Sequence, residues 1–186
     1  MMLTIEELQE LQIEHPDWQM ELVDGSVVVM GPSDYESDEI GTELARQIAN
    51  WVRPRKLGRV TGSSAGFILP TTNPSHVRDL RAPDVSFVKA DRLKKTKRDF
   101  VQIVPDLTVE VKSKTDRVKV LVEKIQLFLE LGSTVGILID PDERTVTVYR
   151  LGQSPTILRD NDQLTLPDLL PGWELKVSDL WPPEFD

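Results

Sequence analysis

One unit in the second half of this 186-residue chain constrains its fold more than any other. Residues 107–112 (LTVEVK) alternate apolar and polar side chains. Residues 116–131 then carry Val118, Leu121, Val122, Ile125, Phe128 and Leu129 at helical spacing, and Gly132 follows as a stop. Residues 135–139 (VGILI) form an unbroken apolar run. A run of that length suits a strand covered on both faces. Strand, helix and strand in this order make a crossover, which is right-handed by default. A chain built around such a unit needs a sheet with helices packed on it, an α/β or α+β architecture.

The flanking segments extend this plan. Thr4 with Glu7 is a capping-box signature, and residues 4–14 read as a helix ended by Pro16. Residues 18–23 alternate, Asp24-Gly25 is a hairpin turn signal, and residues 26–30 are the return strand. Residues 33–51 read as a long helix with Ile40, Leu44, Ile48, Trp51 and Val52 on one stripe, closed by Pro54. Short strands are expected at 59–61, 65–69, 84–88, 145–149, 156–158 and 174–177. A polar loop is expected at 70–79 and a basic connection at 89–98. The absence of a linker or an internal repeat gives one domain over residues 1–186.

Composition narrows the chemistry. With no Cys and 2 His, a thiol nucleophile, a disulfide framework and a Cys- or His-rich zinc site are excluded. Carboxylates and lysines remain to do any catalysis. The longest apolar stretches are far shorter than the ~20 residues a spanning helix needs. The first ten residues, MMLTIEELQE, lack a basic n-region, so no membrane association and a cytoplasmic location are expected. The net charge of -9 opposes nucleic-acid binding unless positive charge is concentrated locally.

The strand 107–112 carries the candidate chemistry. Leu107, Val109 and Val111 point to one face, and Thr108, Glu110 and Lys112 to the other. Charge in a central strand is costly unless it is paired or ligates an ion. Asp84, 26 residues upstream, stands at the start of another strand after Pro83. Two carboxylates on neighbouring strands can hold Mg²⁺ or Mn²⁺ with waters, and a lysine beside them can act on an attacking water or on phosphate charge. A cross-strand salt bridge is the competing reading of Glu110 and Lys112.

The ordered motifs RAPDVSFV (81–88), PDLTVEV (105–111), Asp116-Arg117, Glu123-Lys124, LELG (129–132), IDP (139–141), RTVTVYR (144–150) and LPGW (170–173), with residues 18–25, cover almost the whole chain. In this the chain resembles the Uma-two family of restriction-endonuclease-like domains, within the PD-(D/E)XK nuclease superfamily. The resemblance implies a mixed β-sheet flanked by helices, with an N-terminal β-hairpin. It implies a Mg²⁺- or Mn²⁺-dependent endonuclease with Asp84 and Glu110 as metal ligands and Lys112 as the catalytic lysine. Glu21 matches the family's early acidic residue, which can join the metal shell; a solvated hairpin carboxylate is the alternative. Lys124 matches a family lysine that can serve as a migrated catalytic lysine; a stem packed at the core edge is its alternative. Many family members have an apolar residue at the position of Lys112. The family often has a His just before the long helix, where this chain has SDYES (33–37).

Two basic groups are placed to meet phosphates of a DNA substrate. One is Lys89, Arg92, Lys94, Lys95, Lys97 and Arg98; the other is Arg53, Arg55, Lys56 and Arg59. Asp116, Arg117 and Gln126 are secondary site candidates, His15 is a helix-end residue, and His76 an exposed loop residue. Cutting both strands favours a homodimer or higher homo-oligomer. Two further readings stay open: a catalytically inactive nuclease-fold module that binds nucleic acid or protein, and a structural oligomer in which Asp84, Glu110 and Lys112 form a buried polar network.

Overall fold

A computed structural model describes residues 2–71 and 78–186. The chain opens with helix α1 (Ile5–Glu14), whose capping box is formed as read: Thr4 Oγ1 accepts from the Glu7 N–H, and Glu7 accepts from the Thr4 N–H. A hairpin of β1 (Gln19–Val23) and β2 (Ser26–Met30) follows. Its turn places Asp24 at φ 48 and Gly25 at φ 74, the left-handed pair that a two-residue hairpin turn requires.

Helix α2 (Tyr35–Arg55) is capped by Asp34, which accepts from the Ser37 N–H, and not by Ser33. It runs one residue past Pro54, because a proline in the last turn removes only one late N–H. Lys56, at φ 55, ends it in the left-handed region. Ile40, Leu44, Ile48 and Val52 are fully buried, as their stripe predicts.

Then come β3 (Gly58–Thr61), β4 (Phe67–Ile68), β5 (Leu80–Arg81), β6 (Val85–Lys89) and β7 (Leu107–Val111). Helix α3 (Val118–Glu130) and strand β8 (Val135–Asp140) complete the crossover, and β7 and β8 pair in parallel. The last elements are β9 (Thr145–Tyr149), β10 (Thr156–Leu158), β11 (Gln163–Thr165), β12 (Glu174–Lys176) and a 3-10 turn at Val177–Leu180. Strands β5 and β11 were not legible in the sequence. Each is two or three residues long and has no room for a repeating pattern. His76 lies outside the described residues.

A six-stranded mixed sheet in the order β10-β9-β8-β7-β6-β3 forms the centre. One face packs on α2 through Val85, Phe87, Leu107, Val109, Val111, Ile137 and Ile139. The other face meets α3, where Leu138 packs with Leu121, Ile125 and Leu129. Val118 stays 42% exposed, so the α3 stripe starts a turn later than its sequence pattern suggests. A second sheet, β2-β1-β5-β4, packs α1 through Ile5 and Leu8 against Met20, Leu22, Ile68 and Leu80. No helix among the described residues is long and apolar enough to cross a membrane.

Candidate active site

Strand registers assemble the site. β6 and β7 pair antiparallel, with Val85 opposite Val109 and Ser86 opposite Thr108. One further step sets Asp84 opposite Glu110, and directly opposed residues share a face. On β7 Glu110 looks towards α3, because Val109 and Val111 are committed to the α2 side, whereas Asp84, just ahead of β6, also lines a cleft against α2. Asp84 Oδ2 accepts from the Val111 N–H at 2.7 Å, which ties the start of β6 to the end of β7.

The second sheet brings the third carboxylate by the same logic. Leu22 stands opposite Leu80 across β1 and β5, so Glu21 faces Arg81. Glu21 is 4% exposed, so the solvated-hairpin reading does not hold. Its Oε1 accepts from the Ala82 N–H at 2.8 Å, and its Oε2 lies 3.6 Å from the Arg81 guanidinium. Asp79 holds that guanidinium from its far side at 2.9 Å.

Lys124 enters from α3. Its ammonium lies 2.9 Å from Glu21 Oε1 and 3.1 Å from Glu110 Oε1, and donates to the Ala82 carbonyl at 3.0 Å. Burial works against its charge, but the Glu110 and Glu21 carboxylates outweigh burial and hold the ammonium above its ordinary range. Burial dominates at Glu110. Even with Lys124 pulling the other way, and with Asp84 and Glu21 adding repulsion, its carboxyl is pushed up to about 8. Burial likewise raises Asp84, against the hydrogen bond from Val111 and the charge of Lys124.

Lys112 is placed elsewhere. β7 ends at Val111, and the Lys112 ammonium pairs with Asp142 in the β8–β9 turn. That contact, with the charges of Asp140 and Asp116, raises its pKa. The structure therefore brings Glu21, Asp84, Glu110 and Lys124 together and sets Lys112 beside them at the rim. Asp116 accepts from the Ser113 N–H and hydroxyl, and its charge reaches both Asp84 and Lys112. Arg81 lies inside the RAPDVSFV motif, where no pattern sets it apart as a site residue beyond its place three residues before Asp84.

The donors suit a hard cation. Glu110 Oε1 is buried and, although it faces Lys124, accepts no aligned hydrogen bond; Thr108 Oγ1, two residues along on the same face, is also unpartnered. Asp84 uses one oxygen on Val111 and keeps Oδ1 free among the described residues. Asp84 and Val111 also line a cleft of about 210 Å³ against Ser37, Asp38, Gly41 and Ala45 of α2. No group of three or more acidic or His side chains among the described residues is arranged to hold an ion alone. An ion bound here would therefore draw at most two carboxylates, Asp84 and Glu110, from the chain and take its remaining ligands from water and substrate oxygens.

A family model described as "Uma2: Putative restriction endonuclease" matches residues 5–178. A comparison with curated proteins finds no match. Among solved structures, the chain is similar to one described as a putative nuclease belonging to DUF820 from Anabaena variabilis ATCC 29413. The TM-score is 0.75 at 23% identity, covering 87% of this chain and 88% of that one. At that identity the likeness establishes the fold: a mixed α+β, nuclease-type architecture.

Proposed function

The chain belongs to the Uma2 family of restriction-endonuclease-like proteins, and from that premise we propose that it is a Mg²⁺- or Mn²⁺-dependent endonuclease that hydrolyses DNA phosphodiester bonds. The observation that carries this reading is the set of three carboxylates, Glu21, Asp84 and Glu110, gathered around one buried ammonium beside an open cleft. In this reading Asp84 and Glu110 hold the ion. Glu21, whose oxygens are already engaged, holds Lys124 in place and stands as a further candidate for the metal shell. The ion, when bound, supplies Lewis-acid stabilisation of charge on the scissile phosphate and the leaving oxygen.

The chain's own groups do the rest. Glu110 must be ionised to ligate, and its buried setting makes that ionisation costly without a cation. Lys124, fixed by Glu21 and the Ala82 carbonyl, offers its third proton towards the carboxylates or a phosphate oxygen. Its position favours it over Lys112 as the lysine of the reaction. Asp84 marks where the cleft opens to substrate. A homodimer or higher homo-oligomer is the assembly that would cut both strands.

A second reading rests on one observation: Lys124 already sits between Glu21 and Glu110. Such a network can serve structure alone, in a module that binds nucleic acid or protein without cutting it. Incubation with supercoiled plasmid, RNA and branched DNA, in Mg²⁺, Mn²⁺ or EDTA, separates the two. Metal-dependent nicking of plasmid is expected. Absence of cleavage of every substrate, with no metal binding by calorimetry, would establish the non-catalytic reading.

A further inference from the structure

A cavity of about 990 Å³ lies apart from the cleft that Asp84 lines. It opens around β3, the edge strand of the central sheet, between α2 and the 93–101 loop. Two basic segments far apart in sequence meet here. Arg53 and Arg59 come from one side, Lys97 and Arg98 from the other, and Asp99 is the one carboxylate in the lining among the described residues. A concave surface with four cations and one anion stands out on a chain of net charge -9.

The cations divide by what they already touch. Arg59 donates to the Leu93 and Lys94 carbonyls at 2.9 and 2.7 Å, and so fixes the loop that carries Lys97 and Arg98. Asp99 accepts from Gln9 and from the Phe100 N–H. Arg55 stacks on Trp51, and Arg92 pairs with Asp106, which removes both from the free set. Arg53, Lys97 and Arg98 make no ion pair among the described residues. Three unpaired cations with a solvated groove before them are an anion site in waiting.

The cavity is the neighbour of the Asp84 cleft along α2 and β6. Gly41 and Ala45 of α2 line the Asp84 cleft, and Ala49 and Arg53, four and eight residues beyond Ala45, line the basic cavity. On β6, Asp84 belongs to the first and Ser86 and Val88 to the second. Ala45 to Arg53 spans ~12 Å of helix, the axial length of three or four phosphates on one strand of a duplex.

We propose that this cavity is a backbone-binding subsite for DNA, in which Arg53, Lys97 and Arg98 contact phosphates three or four positions from the scissile one. The inference rests on the nuclease reading for its substrate, but it concerns binding and not cleavage. The subsite accounts for how an acidic protein can hold a polyanion: positive charge is concentrated along one groove.

The test is fluorescence anisotropy with a labelled 20-base-pair duplex in EDTA, over a range of salt concentrations. The full-length wild type is compared with Arg53→Gln, the double variant Lys97→Gln/Arg98→Gln, and Lys176→Gln on β12 as a control outside the cavity. None of these side chains makes a hydrogen bond or a close ion pair among the described residues, so the variants should fold as the wild type does. Each lost phosphate contact should lower the slope of log K against log salt by about 0.9, and Lys176→Gln should leave it unchanged. Wild-type slopes in the cavity variants would overturn the subsite while leaving the nuclease reading intact. Duplex binding with the expected slopes but no cleavage in Mg²⁺ would keep the subsite and remove the nuclease reading. Failure of the wild type to bind duplex would overturn the subsite directly.

Discussion

The Lys124 ammonium, on α3, lies 3.1 Å from Glu110 Oε1, on the central strand β7. Glu110 is buried and the Lys124 side chain is 12% exposed, and one oxygen of Glu21 meets the same ammonium at 2.9 Å. One cation thus serves two carboxylates from two different sheets. Removing the lysine strands Glu110, while Glu21 keeps Arg81 and the Ala82 N–H; removing either acid leaves the lysine a partner.

Lys124→Met should therefore cost about 3–5 kcal/mol of stability, the penalty for leaving buried charge unpaired. The loss should shrink as pH falls and Glu110 takes up its proton. Urea denaturation at pH 5 and pH 8 reads both effects. An equal, small loss at both pH values would show that the ammonium is not neutralising buried charge.

Lys112→Ala should behave differently. Its partner Asp142 is 68% exposed, so the pair is screened by solvent and its loss should leave stability close to that of the wild type. Plasmid nicking should fall only a few-fold in Lys112→Ala, but by ~10²-fold or more in Lys124→Met, measured below the melting temperature of each variant. The reverse ordering would return the catalytic role to the lysine on β7.

Stability should also track the titration of Glu110. Its folded pKa, about 8, is above the ordinary value of 4.5, so between those values the folded state binds more protons than the unfolded chain. Metal-free wild type should lose stability as pH rises through that window, by at most about 1.4 kcal/mol per pH unit. Glu110→Gln, which cannot titrate, should be flatter. Parallel profiles for the two proteins in EDTA would mean that Glu110 is ionised throughout.

The seat of α3 is a separate point of sensitivity. Gly136 lies on β8 under the helix, and a Cβ there would stand 2.3 Å from Ile125 Cγ2, one residue from Lys124. Gly136→Ala should destabilise by about 1–3 kcal/mol and shift α3 outward. Cleavage should fall further than the stability loss explains, because Lys124 moves with the helix. Unchanged melting would show that the interface can absorb the methyl group.

The sequence exposed some of this and hid the rest for physical reasons. The β7–α3–β8 unit was readable because long periodic segments carry their own signal. Asp84 and Glu110 were readable as neighbours because one stands just ahead of a strand and the other on a strand, each within a recognisable motif. The two lysines were harder to separate. Alternation put Lys112 on the Glu110 face, but β7 ends one residue earlier and the freed side chain turns to Asp142. Lys124 flanks the apolar face of α3, which fits a surface stem as well as a buried ammonium. Only the packing of β1 and β5 beside α3, which brings Glu21 within reach, decides its surroundings. Those contacts join residues about a hundred positions apart, and no local pattern encodes them.

The central claim is that Glu110 is a metal ligand of a nuclease. The most direct measurement is the rate of supercoiled-plasmid nicking in Mg²⁺ and in Mn²⁺ by wild type and Glu110→Ala, prepared side by side. The account predicts metal-dependent nicking by the wild type, absent in EDTA, and a loss of ~10²-fold or more in Glu110→Ala, since several kcal/mol of charge stabilisation is removed. Nicking by Glu110→Ala at the wild-type rate would contradict it.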